Sequence, residues 1–273
     1  MQAILSRNLE LGGSRYSIHP GDLAWWVYHS YPREEDDSYW LEEGVGFAVL
    51  ERHENEVVAF SLPGQSPAAL ALWGLDQLGP EARIGMVSTQ DLDLEAALRD
   101  EGLEAGASFG PVFLRDLAEP IPAIGLPSGW ALRHVRGEED ADSRRRASHA
   151  AFASTMDSAD HLERYLRFMR SPVYDPERDL VVVSEDGEVA AFMIWWPDRS
   201  GIAEIEPMGT DPKFHRQGLG RALMAHGLNR MREAGMTTAR VITNSHRSDA
   251  IAFYEAAGFT RAADLRNWQR PRK

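Results

Sequence analysis

The C-terminal half of the chain shows a regular succession of apolar patterns. Alternating or continuous apolar runs predict strands, and apolar residues three or four positions apart predict helices. The predicted strands cover residues 130–135, 179–184, 189–196, 201–210 and 237–243, with a last strand from 259 onward. The predicted helices cover 139–152, 161–169 and 249–257, with a further helix that follows a glycine turn at 218–220 and runs to 234. This order predicts an α/β fold, a mixed sheet flanked by helices, with an antiparallel hairpin before the strand–helix–strand units.

The N-terminal half repeats part of this pattern. Residues 93–103 align with residues 250–259 at an offset of 156 residues, and Gly64 then falls under Gly220. A strand-like hairpin precedes that glycine, as it does in the second half. Several matches in one register indicate an internal duplication, so we predict two tandem copies of one domain.

A segment rich in proline and glycine, residues 119–129, separates the two halves, and this composition is typical of a linker. A chain of 273 residues is also long for a single domain. We therefore predict domains at 1–120 and 130–273, joined by a linker at 121–129.

Composition narrows the chemistry. The chain has no cysteine, which excludes disulfides, thiolate metal sites and a cysteine nucleophile. Its nine histidines are scattered without the spacing that metal sites use, so we expect no metal. Apolar residues make up 43% and charged residues 26%, as in ordinary globular proteins.

The net charge of −13 lies almost entirely in the first half, where residues 1–125 hold 7 Arg and 21 Asp or Glu. Such an acidic half disfavours nucleic acid as a partner and is compatible either with a cationic acceptor or with a simple solvated surface. No apolar run approaches the roughly 20 residues of a membrane span, and the start of the chain does not resemble a signal peptide. We expect no membrane partner and a cytoplasmic location.

The strongest local signal is the glycine turn between a predicted strand and a predicted helix. The first turn of a helix leaves N–H groups without partners, and its dipole favours an anion. Glycines in the turn let a diphosphate approach these groups, and neighbouring arginines add positive charge. The alternative is a tight turn with incidental glycines. Since the sequence has neither G-x-G-x-x-G after its first strand nor G-x-x-x-x-G-K-[ST], dinucleotide and ATP sites are not indicated. The loop residues are His215, Arg216, Gln217, Gly218, Leu219, Gly220 and Arg221.

A second signal follows the next predicted strand. Asn244 stands at the end of that strand, and Tyr254 lies midway along a short helix that ends at Gly258-Phe259. A tyrosine in such a helix is often a half-buried core residue. Its position after the glycine loop is what makes a functional role a candidate.

Together the two motifs resemble the GNAT superfamily of N-acetyltransferases over residues 130–273. The glycine turn is similar to the family's [RQ]-x-x-G-x-[GA] loop, and the late helix to its A-x-x-x-Y-x-x-x-G-F motif. His215 stands where the family normally has Arg or Gln, and Arg216 is the candidate that compensates for this departure.

The resemblance implies acetyl-CoA as co-substrate and assigns roles to individual residues. The backbone N–H groups of residues 217–221 would hold the diphosphate. The strand before the loop would splay, so that the backbone of Met208, Gly209 and Thr210 hydrogen-bonds the pantetheine arm. Asn244 would contact the cofactor, and Tyr254 would lie near the sulfur.

The chemistry requires a base, because an amine with a pKa of about 10 is protonated at neutral pH. Glu204 and Glu206 alternate on one predicted strand, on the face shared with Met208, and either carboxylate is a candidate. Their alternative role is that of exposed or ion-paired strand residues. Tyr254 remains protonated at neutral pH and is the candidate donor to the departing thiolate. Without a cysteine, direct attack in a ternary complex is the natural scheme.

The 156-residue offset places Leu98 where Tyr254 stands and Leu62 where Gly218 stands, so the first copy lacks both motifs. We predict a degenerate acetyltransferase-like first domain that shapes the acceptor site or packs against the active domain. Its aromatic residues would line an acceptor pocket or form plain core; they are Trp25, Trp26, Tyr28, Tyr31, Tyr39 and Trp40.

The sequence thus predicts an enzyme, an N-acetyltransferase that moves an acetyl group from acetyl-CoA to a primary amine of a small molecule or peptide. The alternative is a non-catalytic, acyl-CoA-binding regulatory protein. Neither the acceptor nor the oligomeric state follows from the sequence.

Overall fold

The computed structural model describes residue 7 and residues 18–30, 38–42, 46–52, 54–62 and 67–271. Its strands are β1 Ser38–Glu42, β2 Gly46–Glu51, β3 Glu56–Ser61, β4 Arg83–Ser88, β5 Glu104–Asp116, β6 Trp130–His134, β7 Asp179–Ser184, β8 Val189–Pro197, β9 Ile202–Thr210, β10 Thr238–Ile242 and β11 Thr260–Gln269. Its helices are α1 Pro20–Trp25, α2 Ala68–Leu78, α3 Leu92–Asp100, α4 Ala141–Ala151, α5 Ser158–Met169, α6 Leu219–Glu233 and α7 Ser248–Ala256.

The described strands form one mixed sheet in the order β1-β2-β3-β4-β11-β5-β10-β9-β8-β7-β6. Neighbouring strands are antiparallel except β3 with β4 and β9 with β10, which are parallel. The predicted mixed sheet with flanking helices is therefore confirmed. Between β5 and β6, residues 120–127 form neither helix nor strand, and this segment includes most of the predicted linker.

The duplication is visible in the elements, but one offset does not describe all of it. Helices α3 and α7 begin 156 residues apart, as do β5 and β11, so Leu98 and Tyr254 occupy equivalent positions. Helices α2 and α6, in contrast, begin 151 residues apart. Leu62 is therefore not the counterpart of Gly218, which corresponds to Pro67, the residue before α2. The offset grows by five residues between these helices and α3 and α7, and four of the five arise because α6 is longer than α2 (15 against 11 residues). Gly64 lies outside the described residues.

The last strand of each half is built into the sheet of the other half. β5 pairs with β10 and β11, and β11 pairs with β4 and β5, so neither final strand remains beside its own half alone. Arg115 on β5 strengthens the exchange, because its guanidinium donates to the carbonyl of Ala257 at the end of α7 (2.8 Å) and to that of Pro120 (2.8 Å).

Helices cover both faces of the C-terminal strands. α6 packs its apolar side, including Leu223 and Met231, against Ala203 and Trp195 on one face. On the other face Trp196 packs with α1 and α5. Trp195 and Trp196 thus point to opposite faces, as strand geometry requires. No helix in the described ranges has both the length and the apolar character needed to cross a bilayer.

Helix α1 was not predicted from the sequence, although its start carries a local signal. Pro20 occupies the first turn, where its missing N–H costs nothing. The His19 ring accepts from the N–H of Gly21 (2.9 Å), and the His19 N–H donates to Asp22 (2.9 Å). This reciprocal cap fixes a helix that packs on the C-terminal half of the sheet.

We expect a fragment of residues 121–273 not to fold by itself. Without β5, both β10 and β11 lose a paired edge, and α7 loses its Arg115 cap. Circular dichroism melting of the fragment should show no cooperative transition. Co-expression with residues 1–120 should restore one, because the cut falls where there is neither helix nor strand. A fragment that melts cooperatively by itself, close to the full chain, would contradict the importance of the exchange.

Candidate active site

A cleft opens where β9 and β10 separate. The two parallel strands pair at Ile202, Ala203 and Glu204, the last of which lies opposite Arg240. Beyond this pair, β9 continues to Thr210 with β8 on one side only. Within the described part of the chain, no strand pairs with its other edge over residues 205–210. The backbone around Met208, Gly209 and Thr210 can therefore bind an extended molecule as a strand would.

A bulge in β9 changes which side chains share a face. The register with β8 shifts between the pairs Met193–Met208 and Trp195–Ile205, so β9 has one extra residue there. Met208 consequently packs against the cluster that contains Ala203 and Ile205. The prediction that Met208 shares a face with Glu204 is wrong, because the bulge reverses the alternation that the sequence implied.

The glycine loop has the form of an anion site. The N–H of Ala222 makes the first intrahelical bond of α6, to the carbonyl of Gly218 (3.0 Å). In the described residues, the N–H groups of residues 216–221 have no protein acceptor, and the side chains of residues 215–217 are exposed. His215 Nε2 lies 3.0 Å from the carbonyl oxygen of Thr210, which links the loop to the end of β9. Several unpartnered donors at one helix start are suited to a phosphate group.

Two glycines are required here for different reasons. Gly218 has φ of +81°, a conformation that costs residues with a Cβ roughly 1 kcal/mol or more. At Gly220 a Cβ would lie 3.0 Å from Thr210 Oγ1 and 3.7 Å from the Phe253 ring, so the loop, β9 and α7 meet there. A third glycine, Gly209, allows α4 to pack on β9, since a Cβ would lie 2.8 Å from that of Ala151. Leu219 contributes its backbone to the loop while its side chain is buried in the core.

A buried ionic cluster lies at the point where the strands part. The guanidinium Nη1 of Arg240 contacts a carboxylate oxygen of Glu204 and lies 3.1 Å from Asp22 Oδ2. All three side chains are at most 4% exposed. Burial raises the pKa of the Glu204 carboxyl, and the Arg240 guanidinium opposes that rise. The second oxygen of Glu204, Oε1, is buried and accepts no hydrogen bond from the described residues.

Glu206 differs from Glu204, because its side chain is half-buried and forms no ion pair within the described residues. Its backbone carbonyl accepts a hydrogen bond from the Trp196 indole (2.7 Å), which fixes the backbone at this point. Burial, reinforced by the negative charge of Asp22, raises the pKa of the Glu206 carboxyl to about 8, while Arg240 opposes the shift. A carboxylate with such a pKa is a stronger base than an ordinary glutamate.

Tyr254 lies on the cleft side of α7, next to Phe253, and is 7% exposed. Its ring packs against Phe113 of β5 and against Phe259. Burial raises the pKa of the Tyr254 hydroxyl, and the charges of Glu206 and Glu204 raise it further. The hydroxyl is therefore a proton donor at neutral pH and lies within electrostatic reach of both carboxylates.

Two further predicted contacts lie at the rim. Asn244 follows β10 and is exposed, and its Oδ1 accepts from the N–H of His246 (2.9 Å). The turn is attached to β5 by the N–H of Ser245, which donates to the carbonyl of Phe109 (2.8 Å). Arg221 is exposed on α6 and, with Phe253, borders a groove between α6, α7 and the linker. Contacts of Asn244 and Arg221 with a ligand stay predictions.

The sequence interpretation missed Asp22 and Arg240. Arg240 had a recognisable signal, since it is a charged residue inside the apolar pattern of β10. Asp22 had only the Pro20 helix start, which says nothing about where the helix packs. Within the described ranges, no group of three or more His, Asp or Glu side chains is arranged to hold a metal ion.

Of the six aromatic residues predicted to form core or line a pocket in the first half, three have side chains that the structure describes. Trp25 is core, packed against Phe168 and stacked on His29. Trp26 and Tyr28 are half-buried beside it. Tyr31 lies outside the described residues, as do the side chains of Tyr39 and Trp40.

Comparison with known proteins agrees with this geometry. Residues 145–259 match the model of the acetyltransferase (GNAT) family. Residues 145–259 therefore belong to the GNAT family of acetyltransferases, which use acetyl-CoA as donor. Among curated relatives, the mycothiol acetyltransferase of Salinispora arenicola is 32% identical over 163 residues, 57% of this chain and 53% of the relative. That of Sanguibacter keddieii is 29% identical over 232 residues, 80% of this chain and 67% of the relative. The chain thus spans about half the length of the first relative.

Solved structures support the fold. A tandem GNAT protein from the clavulanic acid biosynthesis pathway superimposes with a TM-score of 0.68 at 16% identity, covering 97% of this chain and 91% of that one. An N-acetyltransferase of the same superfamily from Sphaerobacter thermophilus gives 0.60 at 18% identity, covering 99% and 92%. The tandem arrangement predicted from the duplication is confirmed. The exact domain boundaries stay a prediction.

Glu206→Gln should flatten the pH dependence of stability. Between the ordinary pKa of 4.5 and about 8, the folded protein holds a proton on Glu206 that the unfolded chain has lost. The free energy of unfolding therefore falls as pH rises through this window, and glutamine removes that contribution. Urea unfolding at about pH 5.5 and about pH 8 measures the difference. Glu163→Gln, on the exposed side of α5, is the matched control and should keep the wild-type slope. Equal slopes in all three proteins would contradict the raised pKa.

Proposed function

We propose that the protein is an N-acetyltransferase that moves an acetyl group from acetyl-CoA to a primary amine of a small molecule or peptide. One observation carries this proposal. The open edge of β9 ends at Thr210, Thr210 lies against Gly220 at the start of α6 with its unpartnered N–H groups, and the Tyr254 hydroxyl lies within electrostatic reach of Glu206.

The residues fit acetyl-CoA. The N–H groups of residues 217–221 would hold its diphosphate, with Arg216 and Arg221 beside it; both are exposed and form no ion pair with the described residues. The open edge of Met208, Gly209 and Thr210 would pair with the pantetheine amides. His215 bonds the carbonyl of Thr210 and so supports the strand end.

When bound, acetyl-CoA supplies an activated acyl group as a thioester. Glu206 would take one proton from the acceptor ammonium, and the neutral nitrogen would form the new C–N bond as the C–S bond breaks. The nitrogen then loses a second proton as the amide forms, which offsets the proton that Tyr254 passes to the sulfur. The Tyr254 O–H donates to the sulfur that leaves with the electron pair. Positioning in the cleft contributes most of the acceleration, on the order of 7 kcal/mol or more. Glu206 is favoured over Glu204 as the base, because Arg240 already neutralises Glu204.

The acceptor is best sought among small molecules. The curated relatives are named mycothiol acetyltransferases, which supports a small-molecule amine over a protein. Nothing in the comparisons supports the non-catalytic alternative.

Gly220→Glu should abolish acetyl-CoA binding. The new carboxylate would stand beside Thr210, among the N–H groups proposed for the diphosphate, and would repel it. Gly220→Ala is the graded control, since its Cβ lies 3.0 Å from a side-chain hydroxyl that can rotate. We expect a loss of more than about a hundredfold in affinity for the first variant and roughly tenfold or less for the second. Isothermal titration calorimetry measures both, with melting curves to confirm folding. Unchanged affinity in Gly220→Glu would exclude the loop assignment.

The two carboxylates should separate in pH–rate profiles. With both substrates saturating, kcat should rise with pH to a plateau along a limb that reports the raised pKa of Glu206 in the ternary complex. The profile of Glu206→Gln should lack this limb, and its kcat should be about 10²–10⁴-fold lower than that of the wild type. Glu204→Gln should keep the limb. The opposite pattern would make Glu204 the base.

A further inference from the structure

Helix α1, from the N-terminal half, is attached directly to the strand that carries the candidate base. Its Gly21 lies against the side chain of Trp196, leaving no room for a Cβ. The indole of Trp196 donates in turn to the backbone carbonyl of Glu206. On the other side of α1, the His19 ring lies 3.3 Å from the carbonyl oxygen of Ile202, where β9 begins. The helix is thus held at both the start and the middle of β9.

This attachment brings Asp22 to the buried Arg240. The guanidinium touches Asp22 and Glu204 through the same nitrogen, Nη1. Asp22 is 3% exposed and also accepts from the N–H of His19 (2.9 Å). The backbone N–H of His19 holds the Asp22 carboxylate, which therefore has little freedom to move. Asp22 in turn fixes the position of the Arg240 guanidinium.

The charged and titratable groups that face Glu206 come from four elements. Asp22 lies on α1, Glu204 on β9, Arg240 on β10 and Tyr254 on α7. Arg240 is the cation among these four. Removal of the Asp22 charge would take one carboxylate away from Arg240, so that its positive charge acts more strongly on Glu206, and would also remove a negative charge that raises the pKa of Glu206. Glu206 would become a weaker base.

We propose that Asp22 is a positioning residue for the reaction: it holds Arg240 on Glu204, so that Glu206 remains free of a cation and able to take the proton of the acceptor. The inference rests on the proposed function of Glu206. It gives the N-terminal half a part in catalysis through a single carboxylate that belongs to neither sequence motif.

Asp22→Asn is the decisive variant, because asparagine keeps an oxygen for the His19 N–H and removes the charge. The midpoint of the kcat–pH profile should move to lower pH by roughly one unit, and the alkaline plateau should fall about three- to tenfold. Asp91→Asn is the matched control: the Asp91 carboxylate also accepts from a backbone N–H at a helix start (Leu94, 3.2 Å), but in α3 of the first half, and this variant should keep the wild-type profile. A lower rate with an unmoved midpoint, or a shift to higher pH, would overturn the inference.

A second variant keeps the charge of Asp22 and displaces helix α1, on which Asp22 lies. Gly21→Ala should push α1 away from Trp196 and shift the midpoint in the same direction as Asp22→Asn. Carboxyl ¹³C NMR, with Glu206→Gln to assign the signal, titrates Glu206 in each variant without turnover. A Glu206 signal that titrates identically in wild type and both variants would overturn the inference. If Glu206→Gln itself keeps the wild-type kcat–pH limb, the assignment of Glu206 as the base fails instead.

Discussion

Arg240 bridges two carboxylates at the last paired position before β9 and β10 separate, and much of the structure depends on this contact. Burying three charged groups is costly, and loss of one partner from such a cluster typically costs about 3–5 kcal/mol. The cluster therefore constrains position more than it stabilises the fold. It ties α1 to the sheet at the point where the strands part, and it pairs Glu204 with Arg240, whereas Glu206 forms no ion pair among the described residues.

The cleft combines two incomplete pieces of secondary structure. The edge of β9 after Glu204 has no neighbouring strand among the described residues, and the first N–H groups of α6 have no acceptor there. Both are polar backbone groups that require partners. Gly220 brings them within contact of each other and of α7, which carries Tyr254. A long ligand with a diphosphate at one end and amides in its middle would satisfy both sets, and this is the fit proposed for acetyl-CoA.

The glycine loop and Tyr254 could be located from the sequence because their signals are local. Strand, turn and helix follow one another within a few residues, and Gly218 adopts the left-handed conformation that glycine favours. Asp22 could not be located, since its partner Arg240 lies 218 residues away and no periodicity connects them. Met208 was placed on the wrong face because a bulge is a property of strand pairing, which a single strand does not reveal. The predicted correspondence of Leu62 with Gly218 was wrong for a similar reason: α2 and α6 differ in length, and a single offset does not allow for that.

The interleaving of β5 and β11 has a consequence for how such a chain can evolve. Tandem copies that pack side by side can be lost, exchanged or recombined one at a time. Here the copy without a glycine loop supplies an inner strand to the copy that has one. Deleting the inactive copy would therefore open the sheet of the active one. The first half can lack the glycine loop and the tyrosine and still be retained by selection, because the sheet of the second half needs its strand β5.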